Sequence, residues 1–180
     1  SPVGVISGLG AKFPAKYQKA IYCLDWTYGT MSAMFLTPSG SSYIAEREEF
    51  VASSQMRMTD AVINPYDGAM YFTVGGRRVQ SGLYRITYAG DESTTLAETV
   101  PGGEKARAER HALEAFLQAG AKEATTEELD TIWAALGSSD RGIRHAARAA
   151  LEKQPAANWK DRASGEDNAI IATAALIALA

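Results

Sequence analysis

The spacing of apolar and turn-forming residues changes once along the 180-residue chain, near residue 91, and this change limits the possible folds more than any other feature. Before it, short β-rich runs are separated by Gly, Pro and Ser. After it, apolar residues recur at intervals of three and four, which is the period of an amphipathic helix. We therefore expect a strand region over residues 1–90, a polar linker over 91–102 and a helical region over 103–180.

Short runs in the first region carry the β-branched and aromatic residues typical of strands. Residues 83–88 alternate between two kinds of side chain, the period expected of a strand with unlike faces. Two turn sequences end at Gly40 and Gly68, where we expect glycine to adopt a positive φ. The predicted strands are residues 20–24, 31–36, 42–44, 61–63, 69–74 and 83–88.

An internal repeat links two of these strands. Residues 20–23 match residues 69–72 at an offset of 49, and Gly29 matches Gly82 at an offset of 53. A period near fifty that is built from antiparallel strands is typical of a β-propeller blade. A sandwich with two similar aromatic strands is the alternative. Because a propeller needs at least four blades to close, the propeller interpretation makes this chain a partial β-propeller of about two blades, excised from a longer protein.

The second region predicts short helices. The run that starts at Leu129 places apolar residues at i, i+3, i+4 and i+7, on one helix face. Thr125 and Glu128 have capping-box spacing before that run, and Gly137 is placed to end it in the left-handed conformation. Asp140 is placed to cap the next helix. Further helices are expected over residues 106–119 and from 167 or 168 onward.

Residues 140–151 resemble the second half of a HEAT repeat. Asp140, Ile143 and Arg144 are followed by Ala147 and Ala150 at the spacing of that family. The resemblance implies that the aspartate caps the helix, that the arginine bonds to neighbouring turns and that the alanines let adjacent helices approach. A small helical bundle with the same pattern is the alternative.

Composition and charge exclude several function classes. The 18 basic and 21 acidic residues form no basic stripe, so we expect no nucleic-acid partner. Cys23 is the single cysteine, which excludes an intrachain disulfide and a thiolate zinc site. The apolar tail from Ile170 is about half a membrane span long, so we expect a buried helix and no membrane span in this segment. No catalytic or metal-binding motif is present, and His111 and His145 are expected on helix surfaces.

The candidate binding residues are Asp25, Trp26, Arg57 and Asp60. Asp25 and Trp26 end a strand, and in a propeller the loops at one end of the blades line the central mouth. A structural turn, with Asp25 on local amides and Trp26 packed between blades, is the alternative. Arg57 and Asp60 are predicted to pair with each other or to hold an anionic ligand. The hairpin loop over residues 75–78 adds two arginines, for which a solvated turn is the simpler interpretation.

A resemblance to a known group of proteins is carried by residues 13–17, 25–29, 59–60, 67–77 and 80–85. They are similar to the large predicted membrane-bound dehydrogenases of environmental bacteria, whose propeller resembles sorbosone dehydrogenase and soluble quinoprotein glucose dehydrogenase. HEAT-like helices follow the propeller in this group, often with a cytochrome c module. The resemblance implies a periplasmic or otherwise extracytoplasmic protein that oxidises sugars or related alcohols and aldehydes.

The same resemblance implies pyrroloquinoline quinone over the propeller mouth, held by basic side chains and assisted by calcium. Arg57 stands where an arginine contacts the quinone carboxylates, but Thr59 replaces a second arginine and Thr27 stands near an expected lysine. The base histidine of the family lies outside this segment. We therefore expect a non-catalytic segment of a dehydrogenase, with a sugar or polysaccharide ligand and a cytochrome c partner. The alternative is a non-enzymatic scaffold that binds a glycan or a protein.

Overall fold

The computed structural model describes residues 2–180. Within this range the chain has a mixed α/β fold with two antiparallel sheets, of four and three strands, and several helices. The described residues form no closed propeller. The chain divides into two compact units. Of the described residues, the sheet unit comprises 2–37 and 44–100, and the helical unit comprises 38–43 and 101–180.

The four-stranded sheet is a meander whose strands neighbour one another in chain order. Its register places Ile6 opposite Tyr22 and Tyr22 opposite Ala33. The second strand buries Ala20, Tyr22 and Leu24 on one face, which is the alternation expected of a strand. The strands are β1 (Pro2–Ser7), β2 (Ala20–Asp25), β3 (Thr30–Ser39) and β4 (Ser42–Ala52), with the short helix α1 (Ala15–Gln18) between β1 and β2.

The three-stranded sheet contains β5 (Met58–Ile63), β6 (Met70–Gly76) and β7 (Val79–Ile86). β6 holds the second position in its sheet, as β2 does in the first, which is consistent with the internal repeat. The predicted offset of 49 is wrong by one residue, because the buried counterpart of Tyr22 is Phe72, 50 residues later. Tyr71 points to the opposite, half-buried face of β6. A slip of one residue exchanges the two faces of a strand.

The two sheets share one hydrophobic core, and β1 lies beside β5. A Cβ atom on Gly4 of β1 would come within 3.1 Å of the Asp60 carboxylate on β5, so a larger residue there would require β5 to shift slightly. Aromatic rings fill much of the core, with the Tyr22 and Phe50 ring centroids 4.9 Å apart in an edge-on contact. The fully buried large hydrophobic side chains of this core are Tyr22, Leu24, Met31, Met58 and Met70.

One buried glutamine fastens part of the predicted linker to the sheet unit. Gln18 is 1% exposed, and its amide nitrogen donates to the carbonyl oxygens of Phe13 and Thr95 at 2.8 Å. Its side-chain oxygen accepts a hydrogen bond from the Ala97 amide at 3.0 Å. Residues 94–97 are therefore held against α1 by side-chain hydrogen bonds rather than by a strand ladder.

The helical unit packs around a core to which α3 and α4 contribute most of the buried side chains. Ile132, Trp133 and Leu136 face this core from α3 and the turn after it, as the spacing predicted. The helices are α2 (Glu104–Glu114), α3 (Thr126–Ala135), α4 (Arg141–Glu152), α5 (Lys160–Ser164) and α6 (Ala169–Leu179), with 3₁₀ turns at Ala115–Leu117 and Ala156–Asn158.

The predicted helix caps are confirmed at α3 and α4. Thr125 and Glu128 form the reciprocal capping box of α3. The Asp140 carboxylate accepts hydrogen bonds from the Gly142 and Ile143 amides at 2.8 and 3.1 Å. Arg144 donates to the carbonyl oxygens of the loop just before its own helix, at 2.6 and 2.9 Å.

Several sequence expectations are wrong in detail. Gly137 does not adopt a positive φ; glycine fits there because an added Cβ would lie 3.1 Å from Ile171 of α6. β4 extends to Ala52, far beyond the predicted 42–44, and β1, α1 and α5 were not predicted at all. The expected buried tail is also wrong, because Ile170 and Ile177 of α6 are 57% and 53% exposed.

Candidate functional site

Three turns of the sheet unit meet at one end of its two sheets. They are the β2–β3 turn (residues 26–29), the β4–β5 connection (53–57) and the β6–β7 turn (77–78). The Ser53 amide donates to the Gly29 carbonyl at 2.9 Å, and the Gly75 amide donates to the Arg57 carbonyl at 2.9 Å. These backbone bonds hold the three turns together, and three of the four predicted binding residues lie on or beside them.

Trp26 ties the β2–β3 turn to the second sheet. Its indole N–H donates to the Gly75 carbonyl at 2.8 Å. Gly76 adopts φ +151°, and a Cβ atom there would lie 2.8 Å from the indole ring. The glycine pair of the hairpin loop thus allows the close approach of the tryptophan. This contact corresponds to the structural alternative for Trp26, in which the ring packs between the sheets.

Arg57 lies against Trp26 from the β4–β5 connection. Its guanidinium carbon is 5.2 Å from the indole centroid, a cation–π arrangement. One guanidinium nitrogen, Nη1, donates to the Trp26 carbonyl at 3.3 Å and to the Thr27 carbonyl. These contacts fix the direction of the side chain.

Asp25 stabilises its own turn. Its carboxylate accepts a hydrogen bond from the Tyr28 amide at 2.9 Å. This bond to the ionised form holds the pKa of Asp25 below its ordinary value. Tyr28 itself is 74% exposed at the tip of the turn.

Asp60 does not join the cluster through Arg57. No ion pair between Arg57 and Asp60 forms among residues 2–180; instead the Asp60 carboxylate accepts from the Ala61 amide at 2.9 Å. The neighbouring Thr59 hydroxyl lies 2.8 Å from the Thr73 hydroxyl across the β5–β6 ladder. The predicted Arg57–Asp60 pair is therefore not formed, because Asp60 lies within β5 beside β1 whereas Arg57 lies in the turn before it.

An open cleft of about 630 Å³ lies next to this cluster. It carries two arginines from different turns, together with hydroxyl and amide side chains. Arg78, at the tip of the β6–β7 turn, has a left-handed backbone with φ +61°. The lining residues are Ser53, Ser54, Gln55, Met56, Arg57, Arg78, Gln80, Ser81 and Tyr84.

Sequence reasoning identified parts of this cleft but not the whole. Arg57 was a candidate, and the arginine-bearing loop was noted with a solvated turn as its simpler interpretation. Residues 53–56 and 80–84 were missed, because serine and glutamine near turns carry no distinctive pattern. Only the pairing of β6 with β7 brings Gln80 and Tyr84 beside the β4–β5 connection.

The residues of this region do not fit the quinone and calcium that the resemblance implies. The Thr59 hydroxyl is already paired with the Thr73 hydroxyl across the β5–β6 ladder. Thr27 and Thr59 supply no positive charge for the quinone carboxylates. Among the described residues there is no cluster of three or more His, Cys, Asp or Glu side chains that suits a metal ion.

The helical unit holds a larger and more apolar groove of about 790 Å³ between α2 and α3. Leu113, Phe116 and Ile132 line it. Two of its acidic neighbours are already engaged, since Glu128 closes the capping box and Asp130 pairs with Arg162 at 2.5 Å. The third acidic lining residue, Glu109, is exposed and makes no hydrogen bond or ion pair with the described residues, but a single exposed carboxylate defines no ligand.

No protein family, curated protein or solved structure matches the chain. Among residues 2–180, no helix has the length and apolar character that crossing a bilayer requires.

Proposed function

We propose that the sheet unit binds an acidic sugar or an acidic polysaccharide in the cleft that Arg57 and Arg78 border. The observation that carries the proposal is the lining itself, in which two arginines from separate turns share one open cleft with serine hydroxyls and glutamine amides. A planar guanidinium matches a carboxylate through paired hydrogen bonds. The proposed ligand therefore carries at least one carboxylate.

The other lining groups favour a ligand with many hydroxyls. The hydroxyl groups of three serines, Ser53, Ser54 and Ser81, can each donate and accept a hydrogen bond. Each of the two glutamines, Gln55 and Gln80, has a nitrogen that donates and an oxygen that accepts. Sugar hydroxyls need this mixture.

Arg57 is held in place before any ligand arrives. Its Nη1 atom is bound to backbone carbonyls and its plane is close to the Trp26 ring, so binding orders few additional rotamers. Arg78 supplies the second charge from a two-residue turn. The two arginines therefore have different roles: Arg57 is a fixed contact that also supports the turns, whereas Arg78 is the residue whose removal tests binding alone.

Titration calorimetry of the whole chain with a tetragalacturonate at low salt tests the proposal. We expect Arg78→Gln to weaken binding about tenfold, equivalent to about 1.4 kcal/mol. Arg77→Gln is the matched control, because Arg77 is the neighbouring exposed arginine and does not line the cleft. A neutral tetrasaccharide should bind more weakly than the acidic one. Absence of binding to either sugar, or equal losses in the two arginine variants, would overturn the proposal.

The second candidate is a segment of a sugar or alcohol dehydrogenase-like propeller protein that works outside the cytoplasm. Support comes from the two sheets, in which β2 and β6 hold equivalent positions and β1 lies beside β5, as the inner strands of consecutive blades do. The capped α3–α4 pair and the Arg144 contacts favour HEAT-like helices after the blades. In this candidate a cytochrome c would accept the electrons.

The test of this candidate uses the whole protein that contains the chain, mixed with pyrroloquinoline quinone, calcium and an aldose. Dye reduction would support the dehydrogenase. No reduction with any sugar, together with saturable glycan binding, would leave the binding function as the better description. If the purified protein shows the absorption spectrum of a bound quinone, the conclusion that these residues do not suit the cofactor is wrong.

A further inference from the structure

Helix α6 carries no charged residue, and much of its apolar surface is not covered. Ile170 and Ile177 lie two turns apart and are 57% and 53% exposed, while Ala175 on the opposite face is fully buried. Thr173 lies between the two isoleucines on the same face. These three residues form one wall of a groove of about 480 Å³ between α4 and α6.

The other wall is basic. Arg141, Arg144, His145 and Arg148 recur along α4 at i, i+3, i+4 and i+7, and all of them line the groove. Such spacing places them on one face of the helix.

The three arginines differ in what they already contact. Arg144 donates to the loop carbonyls before α4, and Arg148 pairs with Glu152 one turn further along. The Arg141 side chain is exposed and makes no hydrogen bond or ion pair with any residue in the described part of the chain. It is the most available charge of the groove.

Few acidic groups oppose this wall. Asp140 is occupied as the cap of α4, and Glu152 lies at the far end of the helix with Arg148. On α6 there is no acid at all, although Asp167 precedes its cap. The groove therefore combines a positive wall with an apolar wall, in a chain whose net charge is −3.

We propose that the α4–α6 groove docks an acidic amphipathic helix of a partner protein. Aspartate or glutamate on one face of that helix would meet the α4 arginines, and leucine-like side chains on the adjoining face would cover Ile170 and Ile177. Because the α4 wall is positive, the partner helix should carry negative charge on the face that meets it. Because the α6 wall is apolar, the adjoining face of that helix should be apolar. The α4 side of the groove runs from Arg141 to Arg148, so the docked segment spans about 12 Å, or roughly two turns.

Fluorescence anisotropy of the whole chain with a labelled peptide of about four turns tests this docking. The peptide places leucine at i, i+3/i+4 and i+7 and glutamate beside it. Comparison peptides are a scrambled sequence of the same composition and a version with lysine in place of glutamate. We expect binding by the acidic helix alone, and we expect it to weaken as salt screens the charges.

Two variants distinguish the contribution of the basic wall to peptide binding from that of the apolar wall. Arg141→Glu should weaken peptide binding about tenfold, since it replaces an attraction by a repulsion; a glutamate in the first turn of α4 also suits the helix dipole, so the fold is kept. Ile177→Asn should weaken it several-fold by removing an apolar contact. Lys105→Glu on α2 is the control, because it makes the same charge change at an exposed position outside the groove.

Each alternative occupant gives a distinct result. Equal binding of the scrambled or lysine peptide, or equal losses in Arg141→Glu and Lys105→Glu, would overturn the proposal. Light scattering that shows self-association abolished by Ile177→Asn would assign the groove to a second copy of the chain instead. Binding to vesicles that contain phosphatidylserine, with none to the peptide, would assign it to an anionic lipid surface and equally overturn the helix.

Discussion

The sheet unit and the helical unit each bury one glutamine, but the two side chains fasten very different stretches of chain. Gln18 of the sheet unit binds backbone groups of Thr95 and Ala97, 77 and 79 residues away. Gln154 of the helical unit accepts from the Ala124 amide, 30 residues away, and donates to the Ala150 carbonyl one turn before it. The buried glutamine of the sheet unit therefore joins remote segments, whereas that of the helical unit joins segments closer along the chain.

The two cores differ in the same sense. In the sheet unit, large rings and methionines from separate strands interlock, as in the contact between Tyr22 and Phe50. In the helical unit, Ala146, Ala147 and Ala150 bring helices close together and leave the bulky contacts to a few residues. Small residues at fixed helical spacing are visible in a sequence, whereas the meeting of rings from remote strands is not.

The first prediction acts on the remote contact. Gln18→Leu should lower the free energy of unfolding by about 3 kcal/mol, because it leaves the Phe13 and Thr95 carbonyls and the Ala97 amide without partners. Urea unfolding measures the loss, and hydrogen exchange should show reduced protection near Ala97. A change below about 0.5 kcal/mol would mean that the segment is held by something other than this side chain.

The second prediction concerns Asp140, which caps α4 and also accepts hydrogen bonds from the Ser41 amide and hydroxyl at 2.7 and 2.6 Å. Removing these bonds with Asp140→Ala should lower the free energy of unfolding by about 2 kcal/mol. The substitution is measured by thermal and urea unfolding. Asp140→Asn is the companion variant, because it keeps an acceptor but not the charge.

The same aspartate predicts how stability depends on pH. The hydrogen bonds from Ser41 lower the pKa of Asp140 to about 2. A lowered folded-state pKa gives a contribution that is fully present above the unfolded value near 4 and is lost as the pH falls towards 2. The difference between the natural chain and Asp140→Asn should therefore shrink over that interval. If the difference in free energy of unfolding between the two proteins stays constant from pH 6 to pH 2, the pKa of Asp140 is not lowered by these hydrogen bonds.

The third prediction is the near-contact counterpart of the first. Gln154→Leu should lower the free energy of unfolding by about 1 kcal/mol, because it leaves one backbone group, the Ala124 amide, without its hydrogen-bond partner. This loss is smaller than that expected for Gln18→Leu. The Ala150 carbonyl bond is longer, at 3.3 Å. If the two glutamine variants cost the same in urea unfolding, the contrast between the units would not hold.

The smallest expected effect is a gain. Arg78 has a left-handed φ of +61°, so Arg78→Gly should raise the free energy of unfolding by about 0.5 kcal/mol through relief of backbone strain. The same variant should weaken binding of the acidic sugar, because it removes a guanidinium from the cleft. Arg77→Gly is the control, and it should not stabilise the chain. Calorimetry of unfolding and of binding on the same samples separates the two effects.

Much of the helical unit was predictable because its signals are local. The caps at Thr125, Asp140 and Asn168 lie within three residues of the amides they bind, and the α3 face follows from apolar spacing alone. Gly137 is the exception. An added Cβ would lie 3.1 Å from Ile171, a residue of another helix, and no local sequence pattern indicates such an approach.

The sheet unit was predictable in its turns and in most strand positions, but not in register. The similarity of residues 20–23 to residues 69–72 predicted an offset of 49. In the structure the buried residue that corresponds to Tyr22 is Phe72, which gives an offset of 50. β1 was not predicted, because its six residues show no run of buried apolar side chains; Val3 and Val5 are both exposed. Its place is fixed by pairing with β2.

By itself, the sequence determined where strands give way to helices, where turns need glycine and where helices are capped, because each of these depends on residues a few positions apart. Tertiary structure alone decided that Trp26, Arg57 and the Gly75–Gly76 pair meet, that Asp60 stands apart from Arg57, and that the α6 isoleucines stay uncovered. These outcomes depend on which strands and helices become neighbours, and that choice is made by packing across many tens of residues.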